Sequence, residues 1–93
     1  MIIPKKVKIG GIIYSVKVLP HWDDRGDADG MLSLDSDTGN TIYIGSELTK
    51  QAQEVTFFHE VLHAMNSTMN HEFLDSLAEQ LYQVLHDNGL LKG

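Results

Sequence analysis

An α+β domain, with a small antiparallel sheet in the first half of the chain and two helices in the second, is what the order of hydrophobic periods predicts. Three observations carry this. Apolar residues alternate from Val7 to Val18. Two further short runs, Met31-Leu32-Ser33-Leu34 and Thr41-Ile42-Tyr43-Ile44, are flanked by turn-forming residues. From Ser46 onward the apolar spacing becomes helical. A chain of 93 residues, 42% of them hydrophobic, has room for a single core, so positions 1–93 are expected to form one domain.

Val7 and Ile9 precede Gly10-Gly11, and Ile12, Tyr14, Val16 and Val18 follow. Two glycines can both take positive φ, so this segment reads as a β-hairpin that Pro20 closes. His21 to Gly30 reads as a polar, acidic loop. The next two strands are joined by Asp35-Ser36-Asp37-Thr38-Gly39-Asn40, whose Asp, Gly and Asn suit a tight connection. Ser46 is the expected N-cap of the first helix and Glu47 the negative charge of its first turn. Apolar residues at 48, 52, 55, 58, 62 and 65 carry that helix to about Asn66, and Ser67 to Asn70 interrupt it. A second amphipathic helix is expected from His71 to Asp87. Phe73, Leu74, Leu77, Ala78, Leu81, Val84 and Leu85 form its apolar half, and Asn88-Gly89 stops it.

A net charge of -6 with seven Lys and Arg argues against a nucleic-acid footprint and against binding to anionic membranes. Without cysteine there is no disulfide framework, thiolate metal site or Cys nucleophile, so a metal would have to bind His, Asp or Glu. The opening Met1-Ile2-Ile3-Pro4-Lys5-Lys6 places its charges after a short apolar run, the reverse of a secretory signal, and a cytosolic location is expected.

The chemistry concentrates in His59-Glu60-Val61-Leu62-His63, an HExxH pattern inside the first helix. Histidines four apart project from one helical face, so their ring nitrogens can converge on one tetrahedral ion, expected to be zinc. Glu60 can take a proton from a water on that metal, whose pKa zinc lowers towards about 7. The expected reaction is amide hydrolysis.

Thr41-Ile42-Tyr43-Ile44, then Thr56-Phe57-Phe58-His59-Glu60-Val61-Leu62-His63-Ala64, then Glu72 opening a helix through Leu77-Ala78, resemble the strand, active-site helix and glutamate helix of small zincin metallopeptidases. The likeness is to ImmA/IrrE-type peptidases and to short peptidase-like proteins of phages and prophages, and it covers about residues 41 to 88. It implies that His59, His63 and Glu72 ligate zinc. Glu72 follows His63 by nine residues, a shorter connection than gluzincins use. Asp75 and Glu79 on the same helix are rival carboxylates. His71, eight residues after His63, fails the metzincin His-x-x-Gly-x-x-His spacing, and Met65 and Met69 read as packing residues.

Other signals are weaker. Arg25-Gly26-Asp27-Ala28-Asp29-Gly30 fails as a calcium loop, since Arg25 would take the first ligand position and Ser36 the twelfth. The same loop carries His21 and Trp22 and could lie over a cleft as a lid. Tyr82 is expected to pack with its hydroxyl in water, and His86 to interact with the helix C-terminus. The expected function is a minimal zinc metallopeptidase acting on a peptide or protein substrate, with Thr41 to Ile44 as the edge strand that aligns it. The alternatives are a non-catalytic zinc-stabilised binding module and a phage-related regulatory or assembly protein.

Overall fold

A computed structural model describes residues 1–20, 28–35 and 39–91. Its elements are β1 (Lys6–Ile9), β2 (Ile12–Leu19), β3 (Gly30–Asp35), β4 (Gly39–Gly45), α1 (Lys50–Met65) and α2 (His71–Asp87), the α+β arrangement that the sequence predicts. His21 and Trp22 of the lid reading, Arg25 and Ser36 of the calcium-loop reading, and positions 36–38 of the connection between the second strand pair lie outside the described residues, while Gly30, read as loop, begins β3.

The first hairpin forms as expected, with Gly10 at φ 56° and Gly11 at φ 86° turning Ile9 onto Ile12. The sheet is mixed, however, not purely antiparallel. Its strand order is β1-β2-β4-β3, with β2 and β4 parallel and the two outer pairs antiparallel. Here β3 folds onto the outer side of β4, which leaves β4 free to join β2 in parallel.

This corrects the expectation that Thr41–Ile44 forms the edge. Those residues belong to β4, which is bonded on both sides, and the edge strands are β1 and β3, of which β3 packs more extensively on α1. The burial agrees with the inner position, since Ile42 and Ile44 are fully buried and Thr41 nearly so.

The first helix starts later than its sequence suggests. Ser46 donates its backbone N–H to the Leu19 carbonyl at the end of β2, which ties it to the sheet, and its own carbonyl accepts from Gln53 Nε2. Thr49 is the N-cap, accepting from the Ala52 N–H through its side chain at 3.2 Å. Glu47 therefore lies outside the helix.

Tyr14, Val16, Ile42 and Ile44 meet Phe57 of α1 in the core. On the other side of α1 lies α2, which packs against α1 alone among the elements. Being the middle layer, α1 has two covered faces, which its single apolar stripe in the sequence does not reveal. Its buried residues are Glu54, Thr56, Phe57 and Glu60, and Met65 of the expected stripe is exposed. On α2, Leu74, Ala78 and Tyr82 are buried. Phe73 and Val84, expected in the apolar half, are exposed.

Candidate metal centre

The connection between the helices is a short turn organised by Asn66. Its carbonyl accepts from the Met69 N–H, and its side-chain oxygen accepts from the N–H and hydroxyl of Thr68. Asn70 then caps α2, its Oδ1 accepting from the N–H groups of Glu72 at 2.9 Å and Phe73 at 3.2 Å. His71 is thereby the first residue of α2. Contacts pair Glu54 with Tyr82, His59 with Asp75 and His63 with His71. The partners run in opposite sequence order, so α2 returns antiparallel along α1.

The return brings His71 against the histidine pair of α1. One ligand nitrogen from each of His59, His63 and His71 lies within 4.8 Å of the others, close enough to bind a metal ion. The Nε2 atoms of His63 and His71 are 3.3 Å apart. In a tetrahedral zinc site with Zn–N of 2.0–2.1 Å, two ligand nitrogens are separated by about 3.3–3.4 Å. That pair already has the required spacing, and neutral imidazole suits zinc and its neighbours in the transition series.

Burial holds the ring of His59 below its ordinary pKa, with the His71 ring adding to this and the Asp75 carboxylate opposing it. Burial likewise lowers His63, helped by His71 and His59. Both rings therefore favour the neutral form, the one that binds metals.

Glu72, which the resemblance implied as third ligand, is exposed and is not part of the converging group. The helical wheel gives the reason. At about 100° per residue, Glu72 lies far round the helix from Leu74 and Ala78, which face α1. His71 precedes Leu74 by three residues and Ala78 by seven, so it shares their face. The apolar face that His71 shares with Leu74 and Ala78 is legible in the sequence. That this face returns over the α1 histidines is not, and metzincin spacing does not apply because here the third histidine arrives on a separate helix.

The rival carboxylates occupy other places. Asp75 Oδ1 lies 2.9 Å from His59 Nδ1. Glu79 is exposed and lines a cleft of about 800 Å³ that also contains His59, Glu60, His63, His71 and the first residues of β3. Tyr82 is not hydrated as expected. It is buried, and its hydroxyl donates to Glu54 Oε1, which also contacts the Met1 amino group. His86 stacks on Tyr82 and contacts Asp87 in the last turn.

Glu60 is 6% exposed. It is held against the start of β3. A Cβ at Gly30 would overlap Thr56 Cγ2 and lie 2.9 Å from the Tyr43 carbonyl oxygen and 3.2 Å from Glu60 Oε2. Gly30→Ala is expected to push β3 off α1 at a cost of about 1–3 kcal/mol. Urea denaturation checks this, and unchanged stability would show that the contact is not tight.

Burial, with the Asp75 charge adding to it, raises the Glu60 carboxyl from 4.5 to about 7. A carboxyl raised on folding favours the native state fully below pH 4.5, and that contribution is lost as pH rises to about 7. The loss is on the order of 3 kcal/mol, at about 1.4 kcal/mol per pH unit. In chelator-treated protein, Glu60→Gln should therefore gain stability relative to wild type between pH 5 and pH 8. Urea midpoints of both proteins at the two pH values check it, and a constant difference would contradict it.

No family model, curated protein or solved structure matches the chain. Among the described residues, no helix is long and apolar enough to cross a membrane.

Proposed function

We propose that this chain is a small zinc-dependent metallopeptidase, with His59, His63 and His71 holding the metal and Glu60 acting as general base. The observation that carries this reading is the convergence of the three histidines beside a buried carboxylate in one cleft. Zinc, when bound, supplies a Lewis acid that polarises a carbonyl and lowers the pKa of a coordinated water. Glu60 accepts the proton at its carboxylate and returns it to the leaving amine. Its raised pKa, near 7, suits a group that must both take and give a proton near neutrality.

Among the described residues β3 pairs only with β4, and it borders the same cleft through Gly30, Met31, Leu32 and Leu34. Unpaired backbone groups of an edge strand can hold an extended peptide by main-chain hydrogen bonds, the role the sequence reading gave to Thr41–Ile44. The test is cleavage of an unfolded protein that stops on chelation and resumes when zinc is restored.

A second reading has one specific observation in its favour. Because α2 packs on α1 alone, a metal shared by His71 and the α1 histidines would staple the outer helix in place. Protein that binds zinc, is stabilised by it and leaves every unfolded substrate intact would favour this non-catalytic module.

A further inference from the structure

We propose that Leu34 determines which peptides the cleft accepts, by giving an apolar contact to one large apolar side chain of an extended peptide paired with β3. This rests on the peptidase reading above and deepens it by naming the substrate class.

The direction of the β3 side chains follows from Gly30. A Cβ there would run into Thr56 and approach Glu60, so position 30 faces α1. Strand residues alternate between the two faces of a sheet, so Leu32 and Leu34 face the same way as Gly30. Leu32 is partly buried and packs against the core that includes Ile42 and Phe57. Leu34, two residues further along, remains 69% exposed and lines the cleft that holds His59, His63 and His71. The three positions therefore offer a ligand different things. Position 30 is closed by α1, position 32 is used by the core, and position 34 presents uncovered apolar surface.

A peptide that adds to an edge strand is held by main-chain hydrogen bonds, and the surroundings of its alternate side chains decide which sequences fit. Pairing with β3 would bring every second peptide side chain to the helix face, one of them beside Leu34. Side chains directly opposite each other on paired strands are in contact, so a large apolar residue at that place removes its own surface and that of Leu34 from water. An acidic residue gains nothing from Leu34. It also meets a lining that contains Asp29, Glu60, Asp75 and Glu79 and, among the described residues, neither lysine nor arginine. Burial and charge thus both favour an apolar side chain over an acidic one. Because Leu34 stands outside the buried core, it can be changed without unfolding the domain.

The experiment gives one mixture of unstructured peptides to zinc-loaded wild type, Leu34→Asp and Val84→Asp, and maps the cleaved bonds by mass spectrometry. Wild type is expected to require a large apolar residue at one fixed distance from the cleaved bond, with kcat/KM lower by about 10-fold or more when alanine replaces it. Leu34→Asp should lose that preference and favour Lys or Arg at the same place, with the preferences at other places unchanged. Val84→Asp adds the same charge at an exposed position of α2 outside the lining of the cleft, and should match wild type. Wild type without an apolar preference, or Leu34→Asp with the wild-type profile, would overturn the assignment. Should wild type cleave nothing, the peptidase reading fails, and binding decides the role of Leu34. Fluorescence anisotropy then compares a labelled peptide bearing a single Phe with its counterpart bearing Ala. Tighter binding of the Phe peptide to wild type, lost in Leu34→Asp, would support the assignment, and equal binding of the two peptides to wild type would overturn it.

Discussion

His63→Ala is expected to abolish zinc-dependent thermal stabilisation. A ligand that binds the native state alone adds about 4 kcal/mol when its free concentration is a thousand times its Kd. In a domain of 93 residues, each kcal/mol raises Tm by roughly 4–8 °C, so saturating zinc should raise the wild-type midpoint by about 20 °C. His63 stands at the centre of the candidate site, with His71 Nε2 3.3 Å from its own and the His59 ring stacked at 5.5 Å. Its removal leaves His59 and His71 on different helices with no nitrogen between them. The variant should melt within a few degrees of the same temperature with and without zinc. Its side chain is partly exposed, so the fold itself should survive the change. Scanning calorimetry with zinc and with chelator makes the comparison, and full zinc stabilisation of His63→Ala would remove this residue from the site.

Glu60→Gln should keep zinc and fold while peptide hydrolysis falls by about 10²–10⁴-fold, the usual contribution of a positioned general base. Glutamine preserves the shape that Thr56 and Gly30 enclose, and it cannot accept the proton. Neither change touches the three ring nitrogens. The check is the rate of cleavage of an unfolded protein by zinc-loaded wild type and variant, with zinc content measured on the same samples. Equal rates would show that Glu60 is not the base, and loss of zinc would show that it serves the metal instead.

The parts of the fold set by local chemistry were legible in the sequence. Gly10-Gly11 specified the first turn, Ser67 to Asn70 and Asn88-Gly89 bracketed α2, and the period change placed both helices. What stayed hidden depends on non-local pairing. Nothing in Thr41-Ile42-Tyr43-Ile44 says that β2 will join its inner side in parallel, so an inner strand was read as an edge. The start of α1 moved from Ser46 to Thr49 because the Ser46 N–H is used by the Leu19 carbonyl, a contact between distant segments. At the site, the His59 and His63 pair and the carboxylate beside it were evident from spacing. The third histidine was not, because its position depends on how α2 packs over α1.

That packing makes a distinction that a single comparison can test. Zinc content per chain should be measured for wild type, His71→Ala and Glu72→Ala after identical loading and dialysis against a weak chelator. The expected result is about one zinc in wild type and in Glu72→Ala and none retained by His71→Ala, since three ligand nitrogens converge and Glu72 stands apart from them. Retention by His71→Ala with loss in Glu72→Ala would contradict the three-histidine site and return the third ligand to the glutamate.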